Sequence, residues 1–317
     1  MITPDVAHYL IAGCLILLGA GGAGIGLGLA AIGVEGSSTR QQTGQLQSFN
    51  AMIIGLALIE SGAIIALVMT MMTLFNRPAE FTWPIIWAEA GTAIAIGTAA
   101  IAISIASSFV VKASAQAIAR QPLYASKITT YMLIAQSIIE APVIFAFIVS
   151  LLIRTRIDMA MDMWAGLRMF ACGLAVGVGA LGPSIGQSMF ARSASYAIGI
   201  NVHQYNRIFP YALLTQALIE TPMIFCLLFS LLFLYVTPTA AMAAIVTVKG
   251  LVAAGTISLG ALGGCIGMGY MACHTSAYVA LDPTVYNAMV RTALFTIAFI
   301  ESTVIYSFII SLILIIR

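Results

Sequence analysis

The sequence predicts an all-α membrane protein of eight transmembrane helices, arranged as four tandem helical hairpins. Of its 317 residues, 61% are hydrophobic and only 8% are charged, which leaves too little polar surface for a water-soluble protein of this length. The chain also repeats itself four times at a nearly constant period. Each repeat holds two apolar stretches that are long enough to cross a bilayer.

A glutamate marks the same place in every repeat. The four are Glu60, Glu140, Glu220 and Glu301. Their separations are 80, 80 and 81 residues, and each lies in similar apolar surroundings. We therefore divide the chain into four hairpin repeats, at residues 1–79, 80–160, 161–239 and 240–317. Because each repeat crosses the membrane twice, all four insert in the same direction.

The eight predicted spans are the apolar stretches of these repeats. They cover about residues 6–34, 49–75, 85–111, 128–153, 164–190, 208–236, 240–272 and 288–316. Each exceeds the roughly 20 residues that a helix needs to cross a bilayer. The N-terminus lacks the basic start and the cleavage site of a secretory signal, so we expect the first span to be retained.

The first helix of every repeat carries small residues at alternate positions. They are Gly22, Gly24, Gly26 and Gly28, then Ala102, Ser104, Ala106 and Ser108, then Gly182, Ser184, Gly186 and Ser188, and finally Gly263, Cys265, Gly267 and Gly269. Positions two apart on a helix point about 200° apart, so the pattern predicts small stripes on two opposite flanks. Each such helix then has close neighbours on both sides. A closed ring of helices has this geometry; generic tight packing in a transporter is the alternative.

The four glutamates each lie inside an apolar span. An ionisable residue at a helix centre costs ~3 kcal/mol, so four cost on the order of 10 kcal/mol and indicate a function. We expect no Lys or Arg of the spans to pair with them. Each glutamate is then protonated, bound to a cation, or facing a charge on another subunit, and hydrocarbon favours the neutral form. The pattern predicts an ion carrier.

A proline follows two of the glutamates by two residues. Pro142 and Pro222 remove the hydrogen bonds to the carbonyls four residues earlier, those of Ile138 and Leu218. A freed carbonyl can accept a proton or ligate a cation. The proline can also serve only to kink the helix to fit the curvature of a ring, and the two interpretations are compatible.

These residues resemble the ring-forming c subunit, or proteolipid, of rotary F-type ATP synthases, in four copies over essentially the whole chain. The resemblance rests on the alternating small residues and on the loop at 119–122, Ala-Arg-Gln-Pro. It also rests on Gln136 and Gln216, four residues before their glutamates, and on the segment 301–306. It implies that the hairpins assemble into a c-ring.

The resemblance also implies partners and a location. The chain would be a non-catalytic subunit in a homo-oligomeric ring, turning past a stator a subunit and contacting the central-stalk subunits gamma and epsilon. Membrane lipid would surround it, in a bacterial plasma membrane. No cofactor is expected, and the net charge of +2 does not indicate nucleic acid. The loop residues expected to contact the stalk are Arg40, Gln41, Arg120, Gln121, Pro122, Asp282 and Pro283.

The resemblance favours H⁺ as the transported ion, with Na⁺ as the alternative. Sodium-type relatives combine an inner-helix Gln with an outer-helix Glu and a following hydroxyl, and only Gln187, Glu220 and Thr221 of the third repeat do so here. Sodium prefers several oxygen ligands, whereas a proton needs only the carboxyl and an acceptor. The supporting residues expected near the glutamates are Ser61, Gln136, Gln187, Gln216, Thr221, Ser302 and Tyr306.

Other classes of protein fit the sequence less well. A vacuolar-type proteolipid would better suit two hairpins with one lost glutamate, and a secondary transporter would have asymmetric polar sites. A soluble enzyme has no support, because His8, His203 and His274 do not cluster with nucleophiles. We expect these histidines at membrane boundaries or in loops. The five cysteines lie singly and are expected to be packing residues.

Overall fold

The computed structural model describes residues 3–39, 42–76, 78 and 80–316. The α-helices of this part of the chain are α1 Pro4–Ser38, α2 Gln45–Phe75, α3 Trp83–Arg120, α4 Ala125–Ile139, α5 Ala141–Thr155, α6 Met163–Ile200, α7 Tyr205–Leu234, α8 Ala243–Leu281 and α9 Tyr286–Ile316. Short 3-10 turns are at Gln42–Gly44, Pro122–Tyr124, Ile157–Met159, Val202–Gln204 and Pro283–Val285. The helices α4 and α5 form one span, so 8 segments are long and apolar enough to cross a membrane. The predicted fold class is confirmed.

The starts of the helices follow local signals. Pro4 and Pro84 lie in the first turns of α1 and α3, where the missing N–H would have had no partner within the helix. Asp162 precedes α6, and its Oδ1 accepts a hydrogen bond of 2.6 Å from the Ala165 amide. This side-chain cap satisfies one of the free amides at the helix start.

The helices form an inner and an outer row. In the inner row, α1, α3, α6 and α8 pack side by side in chain order. Each outer helix packs on the inner helix of its own hairpin and, in the first three hairpins, on that of the next hairpin. The central helices α3 and α6 are mostly buried, whereas most residues of α1 and α8 are half-buried or exposed. The row is therefore open, with α1 at one end and α8 at the other.

Small residues allow the inner helices to approach closely. A Cβ added at Gly22 would lie 2.5 Å from the Ile101 Cα, so only glycine fits against α3 at this point. On the opposite flank of α1, Cβ atoms at Gly24 and Gly28 would meet nothing within 4 Å. The alternation thus divides into two flanks as predicted, and the flank with Gly24 and Gly28 is the free edge of the row.

Candidate ion-binding sites between the hairpins

The four predicted glutamates lie on the outer row. Glu60 is in α2, Glu140 is between α4 and α5, Glu220 is in α7 and Glu301 is in α9. Three of them are half-buried, and Glu60 is exposed. Within the described part of the chain, both ion pairs belong to Glu89, and no Lys, Arg or His lies within 4 Å of the other four carboxyls. These carboxyls have no cationic partner in the described residues.

Two hydrogen bonds place an inner helix at the depth of the preceding glutamate. The Ser104 hydroxyl donates to the Ile59 carbonyl at 3.0 Å, and the Cys265 thiol donates to the Ile219 carbonyl at 3.1 Å. Each of these carbonyls directly precedes a site glutamate. Ser184 is the equivalent residue of α6, but its hydroxyl donates within its own helix. The Glu60 and Glu220 sites thus lie where two hairpins meet, and the junctions differ in their hydrogen bonds.

The Glu140 site contains residues of the first two hairpins. The Ser61 hydroxyl of α2 lies beside the Glu140 carboxyl, although Ser61 Oγ and Glu140 Oε1 are both buried without a partner in hydrogen-bonding geometry. Gln136 Nε2 donates to the Gly55 carbonyl at 3.2 Å, across the same junction. The hydroxyl that follows one glutamate therefore faces the glutamate of the next hairpin.

The third hairpin holds a second group of buried amides. Gln187 Nε2 donates to the Gln216 backbone carbonyl at 3.2 Å. Gln216 is one helical turn before Glu220. Gln187 Oε1 and both side-chain amide atoms of Gln216 are buried without a partner. Thr221 is on the exposed side, and its hydroxyl donates to the Ala217 carbonyl at 3.3 Å. The sodium site at Gln187, Glu220 and Thr221 stays a prediction.

The last two supporting residues lie on α9, at the end of the row. The Ser302 hydroxyl donates to the Phe299 carbonyl at 2.7 Å. The Tyr306 side chain is exposed. Among the described residues, α9 packs on the inner helix of its own hairpin and on α7, so the Ser302 hydroxyl lies at the end of the row.

The two prolines have different effects on their helices. Glu140 lies in a turn that separates α4 from α5, and the Val143 amide donates to the Glu140 carbonyl at 3.2 Å, three residues earlier. In the third hairpin, α7 continues through Pro222 without interruption. Only the second hairpin therefore places its glutamate in a helix break.

The predicted stalk-contact loops lie at the end of the molecule where the hairpins turn. Arg40 and Gln41 lie outside the described residues. The Arg120 guanidinium is 4.1 Å from the centre of the Tyr196 ring in the next hairpin, a favourable cation–π distance. Gln121 and Pro122 form the turn between α3 and α4. At this loop the polar residues contact a neighbouring hairpin.

The corresponding loop of the fourth hairpin is held by its own side chains. Hydrogen bonds from the Thr284 hydroxyl and amide, of 2.6 and 2.9 Å, lower the pKa of the exposed Asp282 carboxyl. The Pro283 carbonyl accepts a hydrogen bond of 3.2 Å from Arg207 Nη1 of the third hairpin. Asp282 therefore shapes the turn, and Pro283 joins it to the preceding hairpin.

A buried charge cluster, which sequence reasoning missed, joins the first two hairpins. His8 Nδ1 lies 2.7 Å from Glu89 Oε2, and Arg154 Nη1 donates to Glu89 Oε1 at 3.0 Å. Arg154 Nη2 also donates to the Thr73 carbonyl at 3.4 Å. His8 is therefore buried. It lies in the first turns of α1, and its place at the membrane boundary stays a prediction. The usable signal is Glu89 itself, because a carboxylate inside an apolar span requires a partner.

Comparisons with known proteins match the four hairpins. The sequence model of the family described as the C subunit of ATP synthase matches residues 10–73, 90–153, 170–233 and 251–314. The ATP synthase c subunit of Dehalococcoides mccartyi, in strains BAV1, 195 and CBDB1, is 37% identical over 70 residues in each case. That segment is 22% of this chain and 92% of the relative. Each segment matched by the family contains one of the four glutamates.

Proposed function

The chain belongs to the c-subunit family of ATP synthases, and on this premise we propose that it is a rotor subunit that carries protons. The carriers are Glu60, Glu140, Glu220 and Glu301. The observation that supports this proposal is that four carboxyls occupy equivalent places in apolar helices with no cation beside them in the described residues. Such a carboxyl is stable in hydrocarbon only when it is neutral.

The proposed mechanism depends on the protonation state of each glutamate, which is neutral in lipid and can be charged in water. A protonated glutamate faces lipid without charge, and it releases its proton where water or a cation of another subunit stabilises the carboxylate. After release, the carboxylate takes up a proton from the opposite side of the membrane and can return to lipid. One charge that crosses 100 mV releases about 2.3 kcal/mol. The energy of several such transfers must therefore be combined to make one ATP.

The proposal assigns the partners that the family resemblance implies. Copies of the chain form a ring, a stator a subunit provides the cation and the aqueous paths, and the loops contact the gamma and epsilon subunits of the central stalk. In this scheme the chain is non-catalytic, because ATP is made elsewhere in the complex. The loop contacts of Arg120 and Pro283 with neighbouring hairpins support a loop surface shared by several hairpins.

Protons fit the described sites better than sodium does. Three of the four repeats lack the inner-helix glutamine of sodium-type relatives, because Leu27, Ser107 and Met268 occupy the position of Gln187. At Glu220, the residue equivalent to Ser61 on the preceding hairpin is Ala141, which has no hydroxyl. Sodium would therefore lack oxygen ligands at most sites.

A sodium site in the third hairpin is the second candidate function. Gln187 is the only inner-helix glutamine at this position among the four repeats. Its Oε1 is buried without a partner and is chemically suited to ligate a hard cation. The two candidates differ in one measurable property, which is the protection of Glu220 by sodium.

Carbodiimide labelling of the purified rotor distinguishes these functions. The reagent attacks protonated buried carboxyls, and mass spectrometry reads each glutamate separately. We expect labelling of Glu60, Glu140, Glu220 and Glu301 that is unchanged when sodium is added at fixed pH. Glu89 is a control within the same chain, because it is buried but paired with Arg154 and should stay unlabelled.

Each other result would change the assignment. Protection of all labelled glutamates by sodium would overturn the proton proposal, and protection of Glu220 alone would indicate the sodium site of the third hairpin. The matched activity test is ATP-driven proton uptake into vesicles by the whole enzyme. We expect Glu140→Gln to abolish it, whereas Glu80→Gln, at an exposed linker residue, should leave it unchanged.

A further inference from the structure

A groove runs between α3 and α6 on the face that points away from the outer helices. It offers about 400 Å³ of open space between two neighbouring helices. Apolar side chains form its walls, and the largest are Ile101, Ile105, Phe109, Leu181, Ile185 and Met189. This volume and these apolar walls suit a hydrocarbon chain.

Two cations close the groove at its loop end. Lys112 and Arg192 line a further space of about 370 Å³ that continues from the apolar groove. Neither side chain is within 4 Å of a carboxylate among the described residues. Lys112 lies about 15 Å along α3 from the middle of that helix, and Arg192 lies at the equivalent place on α6. This distance is about half the thickness of the hydrocarbon core, where lipid headgroups begin.

The pair of cations occurs at one junction of the chain only. When the four repeats are aligned on their glutamates, the residues at this position are Ile32, Lys112, Arg192 and Cys273. The first and fourth hairpins thus carry an uncharged residue where the two central hairpins carry a cation. The charge is concentrated between α3 and α6, above the apolar groove.

We propose that this groove binds one anionic phospholipid per chain. An acyl chain lies along the apolar walls, and the headgroup phosphate lies between Lys112 and Arg192. A net negative lipid is favoured because the quaternary amine of a zwitterionic headgroup would add a third cation beside the two. The site lies within a single chain, so it does not depend on which ion the glutamates carry.

Native mass spectrometry of the rotor in mild detergent tests this site. The probes are phosphatidylglycerol and phosphatidylcholine with identical acyl chains. Each Lys or Arg near a headgroup contributes about fivefold to the binding of an anionic lipid, so we expect a preference for phosphatidylglycerol of about thirtyfold. The double variant K112Q/R192Q should lose this preference, whereas K112R/R192K should keep it because both cations remain.

Two further variants make the result specific to the groove. Ala102→Trp fills the apolar part without changing the charge, and we expect it to abolish tight binding of phosphatidylglycerol. Lys249→Gln removes a cation near the start of α8. This position is at the end of the inner helices opposite to Lys112 and Arg192, so the substitution should not change lipid binding. Equal binding of the two lipids by the wild type, or a preference that survives K112Q/R192Q or Ala102→Trp, would overturn the proposal. Carbodiimide labelling of the same samples reports the ion-carrying function separately.

Discussion

At the scale of single residues, the neighbours of a buried acid determine its role. Glu89 contacts the Arg154 guanidinium and the His8 ring, and a neighbouring cation stabilises a carboxylate. Glu140 has the Ser61 hydroxyl beside it, a buried oxygen without a hydrogen bond, and no cation within 4 Å among the described residues. The first acid therefore fits a structural role, and the second fits reversible protonation.

The buried cluster supports a prediction about stability. Removing one member of a buried ion pair costs about 3–5 kcal/mol, because the other charge is left without a partner. We expect Glu89→Gln to lower the stability of the chain by about this amount, since Arg154 is buried and would lose its carboxylate. Unfolding by a denaturing detergent, followed by helix signal, measures the change.

A double variant tests whether the lost stability comes from an unpaired buried charge. In Glu89→Gln with Arg154→Met, no charge of the ion pair stays buried, so we expect much of the lost stability to return. Glu80→Gln, at an exposed residue, is the control and should change little. Equal stability of Glu89→Gln and the wild type would contradict a structural role for the cluster.

At the scale of helices, glycines determine how closely the inner row packs. A Cβ on Gly173 of α6 would overlap the backbone of Gly91 in α3. The two central helices meet there with no room for a side chain. The outer helices allow more variation, since α7 continues through Pro222 while Pro142 follows a break at Glu140.

The contact of α3 with α6 supports a second prediction. Gly173→Val would force these helices apart, and overpacking of this kind typically costs about 1–3 kcal/mol. We expect a lower thermal midpoint for the rotor in detergent, measured by circular dichroism. Ala217→Val is the control, because Ala217 is exposed on α7 of a central hairpin and also receives a β-branched side chain. A loss of stability that is equal in both variants would indicate helix propensity and not close packing as the cause.

At the scale of the whole molecule, the four hairpins form a row with two free ends. The free flank of α1 carries Gly24 and Gly28, and α8 stands at the other end. Glu60 lies in the hairpin at the α1 end of the row and is exposed. A second copy that places Ser302 beside Glu60 would repeat the arrangement of Ser61 beside Glu140. The chain thus has the ends that ring formation requires.

This arrangement supports a prediction about assembly. If the ring consists of copies of this chain alone, its hairpin number is a multiple of four, and native mass spectrometry of the purified ring counts the chains. We expect Gly28→Leu to release single chains that keep their helices, because the added side chain meets nothing within 4 Å of its Cβ in the chain itself but would block the next copy. Gly28→Ala should keep the ring, since the equivalent residues Ser108 and Ser188 are also larger than glycine.

Either of two results would contradict this prediction. A hairpin number that is not divisible by four would mean that other subunits share the ring. A full ring in Gly28→Leu would mean that this flank of α1 is not the contact between copies. Circular dichroism of the released chains verifies that the substitution did not unfold them.

The sequence by itself determined the class of the fold, the number of spans and the four glutamates. Hydropathy and a regular period suffice for these features, because lipid requires every spanning segment to satisfy its own backbone hydrogen bonds and makes a buried acid conspicuous. The alternating small residues also indicated two close flanks before any contact was known. These are local properties of a helix in lipid.

The tertiary structure alone decided which residues meet across hairpins. His8, Glu89 and Arg154 are far apart in the chain, and neither spacing nor composition indicates that they form one cluster. The same holds for Ser61 beside Glu140, and for Lys112 and Arg192 at the end of one groove. Such pairs depend on how two helices are rotated and shifted against each other, and that is determined by packing over their whole length.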